Sequence, residues 1–293
     1  RGFKQMMEMV NWSRLSNALR AAGIMRRCLL ESLVHARGRA AFGGALIELP
    51  LLRANLLEML LDAEAGASVV LNAAAAFERM DAGSAEARTL FRVMTPLAKC
   101  WLTARARVVA GEAMNVRGGN GYVEEWVNAR LLRDSYLGAI WEGATNVVAL
   151  DVQRAILKDG GFGALAGLVN RRLDTVGEPA AKPWVDLVRT ALGDAGGPVN
   201  RWSALPRPER EVEARPVADA LYHTLAASLL LAEGQLLREQ RDDFRKFVVA
   251  ALYVRRWLRP AAPPTPLFPP PALAWLEALA DWTPVPAEAL SAL

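Results

Sequence analysis

Almost no stretch of this chain alternates apolar and polar residues with period two. Its apolar residues recur instead every three to four positions, over spans of thirty residues or more. That pattern leaves little room for sheet and requires long amphipathic helices. Long helices joined by short turns close as an up-down bundle, so the expected fold class is all-α.

Punctuation sets the expected bounds. Residues 3–36 read as a first helix, with Leu15, Leu19, Met25, Leu29, Leu30 and Leu33 among its apolar positions. Residues 38–49 read as a turn. Pro50 suits the first turn of a second helix reaching about residue 79. The centre of that helix, from Ala63 to Ala76, is dense in alanine, which lets neighbouring helices approach closely. Asp81-Ala82-Gly83-Ser84 is a turn. A third helix spans 85–117, irregular near Pro96, and the glycines at 118–121 end it. A fourth begins near Glu142, runs to about 157 and stops at Asp159-Gly160-Gly161. Beyond it, 162–175 and 183–192 read as short helices and 193–208 as a linker. Residues 209–258 read as one long helix, 260–266 as a stiff proline connector, 269–279 as a short helix and 282–293 as a tail. Two units follow: a helical bundle at 1–160 and an additional helical domain at 161–293.

Charge narrows the function. The formal net charge is +4 over 293 residues. Residues 1–163 carry 20 Lys+Arg against 16 Asp+Glu, and 164–293 carry 15 against 15, a balance poorly suited to a strongly basic nucleic-acid binder. With only His35 and His223, a multi-histidine metal site is excluded and no metal is expected. Cys28 and Cys100 lack metal-ligand spacing and read as buried free thiols in a reducing, cytoplasmic setting. No run reads as long and apolar enough to cross a membrane. The alanine-rich segment 65–77 is short and bracketed by Glu64 and Glu78. The chain opens Arg1-Gly2-Phe3-Lys4 in a helical pattern, as if inside a longer protein.

The residues closest to chemistry are Gly118-Gly119-Asn120-Gly121-Tyr122, then Arg133-Asp134, then Trp141-Glu142-Gly143. Glu142 at the start of a helix is either a dipole-stabilised surface charge or a general base beside a water-excluding tryptophan. The glycines permit positive backbone angles or close approach of a ligand, but lack the preceding strand of a dinucleotide fingerprint.

Taken in order, these motifs resemble the C-terminal part of an acyl-CoA dehydrogenase, closest to the bacterial alkylation-response branch. Arg39-Ala40-Ala41-Phe42-Gly43 matches the family's Arg-x-x-Phe-Gly signature, and residues 115–122 match its cofactor loop. The resemblance covers about residues 2–160. It implies FAD as cofactor, held by Arg39, Phe42, Asn115, Gly118 and Gly119. It also implies an acyl-CoA substrate met by Arg14, Asn11 and Gly143, with Arg14 near the nucleotide. Glu142 is then the base that removes the α-proton while the β-hydride goes to FAD. The family further implies a dimer or tetramer, an electron-transfer flavoprotein as partner, and upstream helical and β-domains completing the site. Departures fall at Asn115, Ala144 and Val148, where ordinary members carry glutamine, threonine and glutamine. The alternative is an alkylation-response flavoprotein that binds duplex DNA. Seven Lys+Arg between Arg238 and Arg259, against Glu239, Asp242 and Asp243, supply its cations.

Overall fold

The computed structural model describes residues 2–259 and 264–293. Within them the chain is helical apart from one two-stranded hairpin, so the all-α expectation holds. Helix α1 (Gly2–Gly38) leads into strands β1 (Ala40–Ala41) and β2 (Gly44–Ala45), paired antiparallel with Ala40 opposite Ala45. Helices α2 (Pro50–Asp81) and α3 (Ala85–Arg117) complete the central layer. The short α4 (Gly119–Tyr122) precedes α5 (Val127–Ile140), α6 (Thr145–Asp159) and α7 (Gly161–Asp174). Then come α8 (Lys182–Arg201), α9 (Arg207–Arg241), α10 (Arg245–Trp257), α11 (Pro270–Ala274), α12 (Leu276–Ala280) and α13 (Ala287–Ser291).

Local chemistry explains the central bounds. Pro50 stands at the first position of α2, where its missing N–H costs nothing. Ser84 caps α3, its hydroxyl accepting from Ala87 N at 3.2 Å. Gly160, left-handed at φ 70°, closes α6. Pro96 is buried in α3 yet does not interrupt it, against the expected irregularity.

Several expectations need correction. Helix α5 was not foreseen in the segment between the glycine loop and Glu142. Leu19 and Leu30, apolar positions of the first helix, are exposed. The expected linker at 193–208 is helical as far as Arg201. The Phe162 ring packs against Gly196, 3.0 Å from where a Cβ would stand. The fully buried Trp202 then pins the helix end, its indole donating to Glu213 at 2.9 Å. Here packing overrides glycine's low helix propensity. The single helix expected over 209–258 breaks at Asp242, left-handed at φ 51°. Buried Asp243 fixes the break by accepting from Arg245 N and Val285 N, both at 2.9 Å. Residues 260–263 of the expected proline connector lie outside the described residues.

Among the described residues the two units share one hydrophobic cluster. Helix α9 packs on α2, α3 and α6 as well as on α7, α8 and α10. One hydrophobic cluster therefore runs across residue 160, through Leu57, Leu97, Leu165, Leu225 and Val249. Residues 161–293 form an added layer on the bundle.

The membrane expectation is also corrected. By length and composition α2 qualifies as a span, with an 18-residue window of mean hydropathy 1.3. That window is 67% buried by the surrounding helices, the setting of a core helix. The buried charges of α2 are matched within the protein. Glu64 pairs with Arg245 at 2.8 Å and Lys246 at 2.7 Å, and Asp62 with Arg105 at 2.6 Å.

Burial disfavours the Glu64 charge, but Lys246 and Arg245 hold its carboxyl below its ordinary value of 4.5. Its stabilising contribution is complete above pH 4.5 and is lost as pH falls through the lowered folded-state value. Glu64→Gln leaves buried Arg245 without a carboxylate and Lys246 with Glu233 alone, so urea unfolding at pH 7 should show a loss of about 3 kcal/mol. That deficit should shrink toward zero on acidification.

Candidate active site

The turn between α5 and α6 carries two successive residues at positive φ, Glu142 at 56° and Gly143 at 97°. Ala144 is extended, and α6 begins only at Thr145. Glu142 therefore lies in the turn, not in the first turn of a helix as its sequence position implied. A left-handed backbone at a glutamate costs on the order of 1–2 kcal/mol. Contacts from two helices hold it there.

From α1, Ser13 Oγ donates to Glu142 Oε1 at 2.8 Å and Arg14 Nε to the Glu142 carbonyl at 3.0 Å. Asn17 donates to the Gly138 carbonyl at 2.9 Å, and the Arg20 guanidinium lies 4.9 Å from the Trp141 ring centre. From α3, the ammonium of Lys99 donates to the Gly143 carbonyl. Arg14 is itself anchored on Asp151 of α6 at 2.6 Å, and Arg92 of α3 reaches the same carboxylate at 2.9 Å. Burial opposes the Asp151 charge, but Arg92 and Arg14 hold its carboxyl below its ordinary range. Burial pushes Lys99 down from 10.5 to about 8, with Arg14 adding to the effect.

Around this turn Leu137, Ile140, Trp141 and Val147 are exposed, a group of large apolar side chains flanking one carboxylate in the chain. Next to it, Asn11 and Trp12 line a cleft of about 630 Å³ with Met80, Phe91, Arg88 and Arg92.

At the far end of α1 a second group gathers. Arg117, last in α3, pairs with Glu31 at 2.8 Å and stacks over Trp126 at 4.3 Å. This ties the end of α3 to α1 and to the segment before α5. His35 of α1 has its pKa lowered by burial and by the charges of Arg117 and Arg39. Phe42 and Gly118 are held at φ 57° and 67°, and Gly121 packs so closely that a Cβ would sit 2.4 Å from the Met114 carbonyl oxygen.

Residues 1–157 match the family model described as "Acyl-CoA dehydrogenase, C-terminal domain". This chain belongs to the acyl-CoA dehydrogenase family. It is 35% identical over 160 residues to AidB of Escherichia coli, covering 55% of this chain and 29% of AidB. The solved structure of Caenorhabditis elegans ACDH-11 in complex with C11-CoA superposes with a TM-score of 0.80 at 25% identity. It covers 92% of this chain and 45% of that one. A Bacillus anthracis acyl-CoA dehydrogenase complexed with FAD shares the fold, with a TM-score of 0.74 at 18% identity over 98% of this chain and 51% of that one. The chain thus spans about half or less of the length of these relatives.

Of the acyl-CoA dehydrogenase site residues expected from sequence, Glu142, Gly143, Asn11 and Arg14 come together at one end of α1. Arg39 and Phe42 follow the other end of α1, and Asn115, Gly118 and Gly119 lie at the end of α3, which the Arg117–Glu31 pair ties to α1. One expectation changes: Arg14 is only 5% exposed, with its guanidinium committed to Glu142 and Asp151, so it braces the turn instead of facing a nucleotide. Ser13, Lys99 and Asp151 were missed. For Lys99 a signal existed, a single lysine in the apolar run from Val93 to Leu102 of α3.

The far group suits a flavin nucleotide. Arg39 and Asn115 are exposed, and neither side chain has a hydrogen-bond or ion-pair partner among the described residues. Their free donors match phosphate oxygens. The basic run after Arg238 is less available. Arg245 and Lys246 pair with Glu64, Arg256 with Glu58 and Arg238 with Glu178, while Arg255 donates to the Leu293 carbonyl.

Gly143→Ala forces a Cβ to within 3.3 Å of Val148 at a positive φ. Thermal unfolding should register a loss of about 1–2 kcal/mol.

Proposed function

We propose that this chain is the C-terminal helical part of an FAD-dependent enzyme that dehydrogenates an acyl-CoA thioester, with Glu142 as the α-proton base. One observation carries this: the Glu142 carboxylate stands on a cross-braced turn within an exposed apolar face. The α-hydrogen of a thioester is only weakly acidic, so its base must be fixed in place and shielded from water. Ser13 orients the carboxylate, Arg14 and Lys99 hold the carbonyls of the turn, and Trp141 next to it in the chain supplies apolar surface. When bound, FAD supplies the acceptor for the β-hydride. The upstream helical and β-domains of the same protein would cover this face. Asn11, in the adjoining cleft with the exposed Arg88, is placed to meet the coenzyme A portion. C11-CoA in the ACDH-11 complex supports an acyl-CoA as ligand.

The length of α1 supports an oligomer. Ser13 and Gly38 are 25 residues apart on one helix, about 38 Å at 1.5 Å per residue. Arg39 and Gly118 are therefore too far from Glu142 to serve the same flavin within one chain. A second copy, in a dimer or tetramer, would bring them to it. An electron-transfer flavoprotein fits as reoxidising partner. Duplex DNA draws less support, because most of the cations between Arg238 and Arg259 are bound internally.

In the full-length FAD-loaded protein, Glu142→Gln should abolish flavin bleaching by C11-CoA under anaerobic mixing while the flavin stays bound. Unchanged bleaching would rule out Glu142 as base. Arg39→Ala should weaken FAD retention roughly tenfold or more, read by equilibrium dialysis, with the bundle's helical circular dichroism unchanged.

A further inference from the structure

We infer that Lys99 is a positioning residue for Glu142: its buried ammonium clamps the Gly143 carbonyl and so holds the left-handed turn that presents the carboxylate. The inference rests on the reading of Glu142 as base.

Lys99 is out of place as a packing residue. It is fully buried in α3, beside Val93, Met94, Leu97, Ala98 and Leu102, where an aliphatic side chain would suffice. A buried ammonium is costly unless a specific partner receives it. No carboxylate lies within ion-pairing distance of Lys99 among the described residues, and its hydrogen bond goes to Gly143. The clamp acts at a turn with two successive positive-φ residues. The carbonyls of Glu142 and Gly143 are held by Arg14 from α1 and Lys99 from α3, and the Thr145 carbonyl receives Cys100 Sγ at 3.6 Å. Releasing the Gly143 carbonyl frees the turn to relax toward ordinary helical angles, which swings the Glu142 side chain away from Ser13.

Charge adds a second effect. The groups facing Lys99 are Arg14 on α1 and Glu142 on the turn, with Cys100 beside it on α3. Asp151 on α6 stands behind Arg14, and Arg215 and Asp219 of α9 face the far side of Cys100. With its pKa pushed down to about 8 by burial, Lys99 loses its proton as pH rises through that value. The clamp should weaken as pH rises through this window.

The test uses the full-length FAD-loaded protein mixed anaerobically with C11-CoA between pH 6 and 10. The parent should bleach more slowly as pH rises through about 8. Lys99→Met should bleach about 100-fold more slowly at pH 7 with C11-CoA affinity nearly unchanged, and should lack the limb near pH 8. Lys99→Arg should recover part of the rate, with no limb near pH 8. A Lys99→Met protein with the parental rate and limb would overturn the inference. If Glu142→Gln bleaches like the parent, the base reading itself fails. A readout independent of turnover uses the 293-residue chain, whose five lysines make ¹³Cε spectra tractable. The Lys99 signal, assigned by its loss in Lys99→Met, should titrate near pH 8 and move lower in Glu142→Gln. A midpoint above 10 that ignores Glu142→Gln would overturn the clamp.

Discussion

Asp151 is the point on which the arrangement turns. Its carboxylate receives Arg14 from α1, Arg92 from α3 and Arg154 from its own helix. An anion buried that deeply is tolerable only when its oxygens are matched by cations held in fixed geometry. Satisfying it sets the register of α1 against α6. That register in turn puts Arg14 Nε under the Glu142 carbonyl and Ser13 beside the carboxylate. The geometry of the candidate base thus descends from a buried ion cluster.

The strain at the turn has the same origin. A glutamate at positive φ is expensive in isolation, and a glycine following it gives no rigidity. Two cations from separate helices supply the stiffness the local sequence lacks. The resulting site is divided: a rigid backbone on one side, and on the other an apolar face open until something covers it.

Much of this was legible from residues alone. Period and punctuation located α1, α2, α3 and α7 closely, because Pro50, Ser84 and Gly160 act through their immediate neighbours. Where distant contacts decided, the reading failed. Gly193 to Pro198 looks like a linker until Phe162 and Trp202 are seen to pack it as helix. Asp242 to Phe244 looks helical until Val285 is seen to meet Asp243. The bracing contacts of Arg14 and Lys99 were not legible. A buried arginine and one facing a ligand are the same letter, and only the position of Asp151 separates them.

Helix α2 carries a consequence for how the chain comes to be folded. Its apolar window is sheltered partly by α1 and α3, adjacent in sequence, and partly by α9 and α10, which emerge more than a hundred residues later. Until Arg245 and Lys246 arrive, Glu64 has neither of its cations and one flank of the helix is bare. A nascent or truncated chain ending before α9 exposes a segment hydrophobic enough to enter a bilayer or to aggregate. The C-terminal layer therefore acts as a cover for an otherwise sticky bundle, and its loss should be felt first in solubility and chaperone dependence.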